Sequence, residues 1–234
     1  MDHALALQEI IMKEIRGFNG PYRFLSNMHI VPGGIKLQYQ CVREDYHMPL
    51  VGHDLASGKF CYYEATAQSS EHVYHALRFN RLRHVKPIVE ASTPYLARQI
   101  AHKFIEAGVH ARHGETAIPC MQNAIAAKFT QNADLRRELA ETYDSPLFEE
   151  NKHGDMFWGT VNGTGHNHLG QILMAERAKI NWPRKLFFVR TPGNTQIVVA
   201  YSQKHIQALF PLLEIESCAC IGQAEDNLAC GTVF

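Results

Sequence analysis

The sequence lacks an excess of charge of either sign. It has 23 Lys and Arg residues against 23 Asp and Glu residues among 234, so we do not expect the broad basic surface that nonspecific duplex binding requires. It also lacks any run of about 18 apolar residues, the length that a membrane-spanning helix needs. We therefore expect no membrane partner.

The sequence is also poor in patterns that bind metals or form disulfides. Its six cysteines are scattered, apart from the pair Cys218 and Cys220, and no signal peptide is apparent. We therefore predict reduced thiols in a cytoplasmic protein. Fourteen histidines include the close pairs His72/His75 and His166/His168, but neither pair matches a closed zinc spacing. We predict no metal and no other cofactor.

The chain has enough apolar residues to form one full hydrophobic core, since 46% of its residues are hydrophobic. The periodicity predicts an amphipathic helix over residues 3–15, strands and loops over 28–66, and helices over 71–143, with breaks near Pro87 and Pro94. Past Pro183, two apolar runs flank a Pro-Gly-Asn turn, and this is a hairpin signal. A short helix is predicted at residues 205–213. We expect residues 183–234 to form a small extension that packs on a domain of residues 1–182.

A glycine-dense turn precedes a helical pattern in the second half of the chain. Asp155 and Trp158-Gly159 lead into Gly165, Asn167 and Gly170. Glycine lets the backbone approach a ligand closely, and the free N–H groups of a first helical turn attract anions. Asn167 is a candidate N-cap, and the N–H groups from residue 165 to 170 are candidate phosphate donors. The alternative is ordinary turn chemistry.

A second polar constellation lies on one predicted helix that starts near Ser69 and Ser70. At about 100° per residue, Glu71, His75 and Arg78 fall on one face. A carboxylate, an imidazole and a guanidinium on successive turns suit acid–base work and phosphate binding. The alternative is a solvated face that carries an intrahelical Glu–Arg pair.

Five segments of this chain together resemble the NADAR superfamily, which includes the YbiA-type N-glycosidases. They occur in the family order and comprise residues 18–27, 70–72, 92–98, 121–129 and 155–177. A single block is weak evidence, but five in order are a strong signal.

The resemblance implies an α+β, mostly helical fold with a few short strands around a ligand cleft. It also implies hydrolysis of an N-glycosidic bond between ribose and a base, in a ribosylated base or an ADP-ribose-type substrate. Such cleavage passes through a ribosyl cation, which a carboxylate stabilises. We expect Glu71, Asp155 and His75 to be catalytic. We expect substrate to be bound by Phe24, Asn27, Arg78, Trp158, Gly159, Gly165, Asn167 and Gly170.

The chain departs from the family pattern at several positions. His75 and Arg78 stand where the family has glutamine and lysine, and Ala101-His102 replaces a Gly-Arg pair. A guanidinium stays protonated and forms no Schiff base, so a covalent lysine mechanism is excluded at position 78. A further pair of acids, Glu149 and Glu150, is predicted to lie on the surface.

Two classes of function are compatible with these features. The favoured one is a hydrolase that removes ADP-ribose from a modified nucleobase, such as guanine in DNA, so that ADP-ribosylated DNA is a possible partner. Within the same class, the riboflavin-pathway ribosylated intermediates are an alternative substrate. The other class is a noncatalytic module that binds ADP-ribose or a nucleotide.

Overall fold

The computed structural model describes residues 13–42, 60–180, 183–212, 214–224 and 230–233. Its helices and strands fit a mixed α and β fold in which helices dominate, as the sequence predicts. The predicted helix over residues 3–15 lies mostly outside the described residues. Its last position, Ile15, belongs to a short strand instead, because it pairs with Leu147 in a parallel bridge.

Seven α-helices occur in the described part of the chain. They are α1 (Ser70–Leu77), α2 (Leu82–Val89), α3 (Pro94–Glu106), α4 (Ile118–Gln131), α5 (Ala133–Ala140), α6 (His168–Ala178) and α7 (Gln203–Leu209). Among the same residues there are two 3₁₀ helices: Gly20–Leu25 lies before α1, and Gly114–Ala117 lies between α3 and α4. Of the helices in this part of the chain, none combines the length and apolar character that crossing a membrane requires.

Helix α1 is the centre of the helical layer. Its start is fixed by Ser69, whose hydroxyl accepts a hydrogen bond from the His72 backbone N–H, as N-cap serines do. The helix packs against α2, α3 and α4, and its residues from Ser70 to Ala76 are all buried. A helix that is enclosed on every side can carry polar groups only if they find partners inside the protein.

A break in the helical run was expected near Pro87, and α2 does end at Val89, two residues after it. Pro87 lies inside α2. A proline in a helix costs about 3 kcal/mol, but α2 buries Val85, Ile88 and Val89 against its neighbours. Each such side chain contributes about 1.5–3 kcal/mol on burial, so packing outweighs the lost hydrogen bond.

Among the described residues, seven short strands form three small sheets. They are β1 (Ile15–Arg16), β2 (Ile35–Val42), β3 (Phe60–Ala67), β4 (Leu147–Phe148), β5 (Lys185–Thr191), β6 (Asn194–Ala200) and β7 (Ser217–Gln223). β1 pairs with β4 in parallel, and β2 pairs with β3 in antiparallel register from Ile35↔Ala67 onward. The third sheet has the order β6-β5-β7. The parallel β1–β4 pair connects the start of the described chain to the segment that precedes residues 155–167, which we call the Trp158 turn.

The C-terminal region has its own small hydrophobic cluster. The predicted hairpin is confirmed as β5 and β6, and the predicted short helix is α7. β7 was not predicted, because its Cys-, Ala- and Gly-containing segment has no strong alternation. The region contacts the end of α5 through Tyr143, whose ring stacks on His205 with centroids 3.8 Å apart and whose hydroxyl lies 2.8 Å from the Ser202 hydroxyl. The domain boundary at residue 182 stays a prediction.

Candidate active site

Helix α1 carries a hydrogen-bonded row of Glu71, His75 and Arg78. The His75 Nε2 lies 3.0 Å from Glu71 Oε1, and Arg78 Nη1 lies 3.2 Å from His75 Nδ1. Since a guanidinium only donates, Nδ1 of His75 accepts, and Nε2 therefore carries the hydrogen that Glu71 receives. The three side chains share one face, as the periodicity predicts. The solvated-face alternative is wrong, because Glu71 is only 4% exposed and Arg78 only 9%.

The second oxygen of Glu71 is held by the segment after the first 3₁₀ helix. Asn27 donates its side-chain amide to Glu71 Oε2. The Asn27 carbonyl in turn accepts the Glu71 backbone N–H at 3.0 Å and the Ser70 hydroxyl at 3.2 Å. Both carboxylate oxygens of Glu71 therefore receive a hydrogen-bond donor. This arrangement stabilises a negative carboxylate in a buried position.

A fully buried lysine is hydrogen-bonded to the backbone that leads to Asn27. Lys128 on α4 donates its Nζ to the carbonyls of Phe24 and Ser26, the latter at 2.8 Å. Burial is the main reason that the pKa of Lys128 is lowered to about 7. The Phe24 side chain, predicted to wall the substrate cleft, is buried in the main hydrophobic cluster. The structure thus shows that the Phe24 carbonyl accepts a hydrogen bond from Lys128 and that its ring packs in the core. A contact of Phe24 with substrate stays a prediction.

Asp155 shapes the turn that presents Trp158. Its Oδ1 accepts the backbone N–H groups of Phe157 at 3.1 Å and Trp158 at 2.9 Å. Asn151 braces the same turn, because its amide donates to the carbonyls of Asp155 at 2.7 Å and Thr160 at 3.1 Å. The contacts observed for Asp155 are therefore structural, and its catalytic role stays a prediction. Asn151 was missed from the sequence, since nothing local distinguishes it from a surface asparagine.

The Trp158 turn and helix α1 meet through an aromatic contact. The ring of Trp158 lies edge-on to Tyr74, with centroids 5.3 Å apart and planes at 79°. Tyr74 precedes His75 on α1, and burial is the main reason that the pKa of Tyr74 is raised to about 12. Two segments far apart in sequence are therefore adjacent in space. The tryptophan itself is only half-buried.

The glycines of the turn allow close approach to the protein's own backbone. A side chain on Gly159 would collide with the Glu149 carbonyl, and one on Gly170 would collide with the Leu147 carbonyl. Gly165, at a φ of 146°, leaves similarly little room against the Gly159 carbonyl. Their substrate contacts stay predictions, but the packing observed for them is internal.

The backbone N–H groups at the start of α6 are hydrogen-bonded to the protein's own carbonyls. The N–H groups of residues 166, 167, 168 and 169 donate to the carbonyls of residues 156, 159, 157 and 158. These four donors are therefore not available to phosphate, contrary to our expectation. Asn167 is at the N-cap position but adopts a left-handed conformation, and its side chain makes no capping bond. It instead accepts from the Glu149 N–H at 3.0 Å and donates to the Leu147 carbonyl at 2.9 Å.

Glu149 was predicted to lie on the surface, but its carboxyl group is partly buried. Its Oε2 is buried and has no hydrogen-bond partner among the described residues. Burial, followed by the negative charge of Asp155, raises the pKa of Glu149 to about 7; Arg23 opposes this rise and Glu71 adds to it. Its neighbour Glu150 binds the turn instead, accepting the Thr160 hydroxyl at 2.6 Å, and this bond is the main reason that its pKa is lowered.

A groove on the surface of α3 lies next to the row on α1. Its volume is about 480 Å³, and it is lined by Tyr95, Arg98, Gln99, His102, Lys103, Glu106 and His153. His102 connects it with the row, since its ring centroid is 6.0 Å from that of His75. Burial first, and then the His75 ring, lowers the pKa of His102. A second cavity, of about 440 Å³, lies beside Arg177 and Tyr201, and no predicted site residue is among those that line it.

The family model for the NADAR domain matches residues 18–181. This chain belongs to the NADAR domain family. The match covers the whole of the row on α1, the Asn27 segment and the Trp158 turn. It ends before β5, so the C-terminal region of this NADAR protein lies outside the matched part.

Several known proteins are similar to parts of this NADAR chain. A riboflavin biosynthesis protein of Vibrio vulnificus is 32% identical over 113 residues, which are 48% of this chain and 30% of that protein. An N-glycosidase of Nostoc punctiforme is 44% identical over 61 residues, 26% of this chain and 38% of that protein. The N-glycosidase YbiA of Shigella boydii is 30% identical over 116 residues, 49% of this chain and 71% of that protein. The chain thus spans well under half the length of the first two relatives.

The solution structure of Escherichia coli YbiA is similar to this chain with a TM-score of 0.49 and 24% sequence identity. The superposition covers 72% of this chain and 84% of YbiA.

Proposed function

We propose that this NADAR protein hydrolyses the N-glycosidic bond between a ribose and a nitrogenous base. The observation that carries the proposal is the Glu71 carboxylate, which is buried, receives a donor on each oxygen, and lies on the helix that the Trp158 turn contacts. The names of the Nostoc and Shigella relatives, both N-glycosidases, support the same reaction class.

The geometry fits the demands of such a reaction. As the C1′–N bond lengthens, positive charge develops on the ribose, and a fixed carboxylate next to C1′ stabilises it. Asn27 and His75 hold the Glu71 carboxylate in one orientation, so little reorganisation is needed when the charge appears. Trp158 is half-buried, and an aromatic ring can stack on any of the bases.

For the substrate, we propose ADP-ribose attached to a nucleobase, with guanine in DNA as the first candidate. The groove on α3 supports a phosphate-bearing substrate. Arg98 and Lys103 are exposed cations that line it, and the exposed Tyr95 ring lies beside them. Such side chains bind phosphates and stack on bases. Modified DNA would then be a partner that reaches the site through its attached ADP-ribose.

A second candidate substrate is a ribosylated intermediate of the riboflavin pathway. The observation that favours it is the similarity to the riboflavin biosynthesis protein of Vibrio vulnificus. Both candidates contain the same ribosyl–base bond, so the proposed role of Glu71 is common to them.

The test is product analysis by mass spectrometry with the full chain and both substrates in parallel. We expect release of free ADP-ribose from modified DNA or of free base from the riboflavin intermediate. Glu71→Gln should lower the turnover of the active substrate by at least about 100-fold and leave its affinity within a few-fold. Glu115→Gln, an exposed acid outside the site, is the matched control.

Two outcomes would contradict the proposal. Turnover that persists in Glu71→Gln would remove Glu71 from the chemistry. Release of no product from either substrate, together with tight binding of ADP-ribose, would instead identify a noncatalytic binding module.

A further inference from the structure

We propose that Glu149 is the proton donor to the departing base, so that the site works with one charged and one neutral carboxyl group. The inference rests on the proposed N-glycosidase function and assigns a role that the reaction needs. A base that leaves as an anion is a poor leaving group unless it is protonated during bond cleavage.

The two carboxyl groups differ in the partners of their oxygens. Glu71 receives a donor on each oxygen, from Asn27 and from His75, which suits the charged form. The Oε2 of Glu149 is buried and has no partner among the described residues. A buried carboxyl oxygen without a donor is far less costly when the group is neutral.

The backbone of Glu149 is fixed beside the turn. Its N–H donates to the Asn167 side chain at 3.0 Å, and its carbonyl accepts the Thr160 N–H at 2.9 Å. Its carbonyl and Cγ lie close to Gly159, where an added Cβ would collide with the carbonyl and come within 3.1 Å of Cγ. Glu149 is therefore held next to the turn that presents Trp158, where we expect the base to stack.

The charged groups around Glu149 come from three segments. Asp155 on the turn and Glu71 on α1 disfavour a negative charge on it, whereas Arg23 on the first 3₁₀ helix favours one. Burial acts with the two acids, and together they raise its pKa to about 7. A general acid is most effective when its pKa is close to the working pH.

The proposed step balances as follows. The C1′–N bond breaks, its electron pair passes to the base nitrogen, and that nitrogen takes the proton of the Glu149 carboxyl group. A water oxygen bonds to C1′ and loses one proton to Glu71. Exchange with solvent then returns a proton to Glu149 and removes one from Glu71, so that the net reaction adds one water across the bond.

The test compares two kinds of leaving group. One substrate carries a neutral base that must be protonated to leave, and the other is a ribosyl pyridinium, which departs as a neutral pyridine without a proton. Glu149→Gln should lower kcat on the first by at least about 100-fold and on the second by less than about threefold. Glu71→Gln should lower both, and Glu115→Gln neither.

The possible results separate the two claims. If Glu149→Gln loses activity equally on both substrates, its role is structural and the inference is overturned. An unchanged kcat on both substrates would overturn the inference as well. Hydrolysis of neither substrate by the unmodified protein would contradict the proposed function itself.

A second measurement does not depend on activity. In protein labelled with ¹³C at the glutamate carboxyl groups, the resonance that is missing from Glu149→Gln should titrate with a midpoint of about 7. A midpoint near the ordinary value of 4.5 would overturn the inference.

Discussion

Replacing Glu149 with glutamine should make this protein more stable at neutral and alkaline pH, although we place the residue in the active site. Glutamine has nearly the shape of a protonated glutamate and cannot ionise. The variant therefore removes the cost of holding a negative charge at this buried position and keeps the packing against Gly159.

The magnitude follows from the pKa of Glu149, which rises from the ordinary glutamate value of 4.5 to about 7 in the folded protein. A difference of about 2.5 pH units, at about 1.36 kcal/mol per unit, corresponds to about 3.4 kcal/mol. Residual exposure of the side chain screens part of this interaction, so we expect about 2 to 3 kcal/mol.

The direction of the pH dependence can be stated with its sign. Between pH 4.5 and about 7 the folded state keeps a proton on Glu149 that the unfolded state has lost. The unfolding free energy of the unmodified protein should therefore fall as pH rises through this window, and the full loss is present above pH 7. Glu149→Gln should not show this component.

The assay is urea unfolding at a series of pH values from about 4.5 to 8.5 for the unmodified protein, Glu149→Gln and the control Glu115→Gln. The difference in unfolding free energy between Glu149→Gln and the unmodified protein should grow by about 2 to 3 kcal/mol across the series. A difference that stays constant with pH would refute the electrostatic reasoning. A similar growth in Glu115→Gln would show that it is not specific to position 149.

Three further predictions concern the supports of the site and of the C-terminal region. Between about pH 7 and 10.5 the unfolded state binds a proton at Lys128 that the folded state lacks, so the unfolding free energy of the unmodified protein should rise with pH. Lys128→Met should abolish this rise. Urea unfolding over this pH range checks the prediction, and a rise that persists in the variant would contradict it. Gly159→Ala should lower the melting temperature by several degrees, since its methyl group meets backbone, whereas Gly222→Ala, with open space, should not. Equal melting temperatures for these two variants would contradict that packing. Tyr143→Phe should cost about 1 kcal/mol, because it removes the hydrogen bond to Ser202, and an unchanged thermal unfolding curve would contradict this contact.

The row on α1 could be predicted because it depends on helical periodicity alone. Glu71, His75 and Arg78 follow one another at intervals of four and three residues, and any helix that includes them places them on one face. Whether that face is solvated or buried depends on the packing of α2, α3 and α4 against it. The periodicity of a single segment carries no information about this packing.

The role that we propose for Glu149 could not be predicted in the same way. Its raised pKa is caused first by burial of the side chain and then by the negative charge of Asp155, with a smaller contribution from Glu71, which is far away in sequence. The glycines at 159, 165 and 170 were predicted to approach a ligand closely, and the close approaches that the structure shows are to the protein's own backbone. The sequence does not distinguish approach to a ligand from approach to another part of the chain, and here the neighbours are backbone carbonyls.

The most direct measurement for the central claim is the fate of solvent oxygen when the reaction runs in water enriched in the heavy oxygen isotope. If Glu71 and Glu149 act on the ribosyl–base bond as we propose, mass spectrometry should find the heavy oxygen on the sugar product and none on the released base. Heavy oxygen on the base, or a sugar product without the label, would contradict attack of water at C1′ and with it the account of this site.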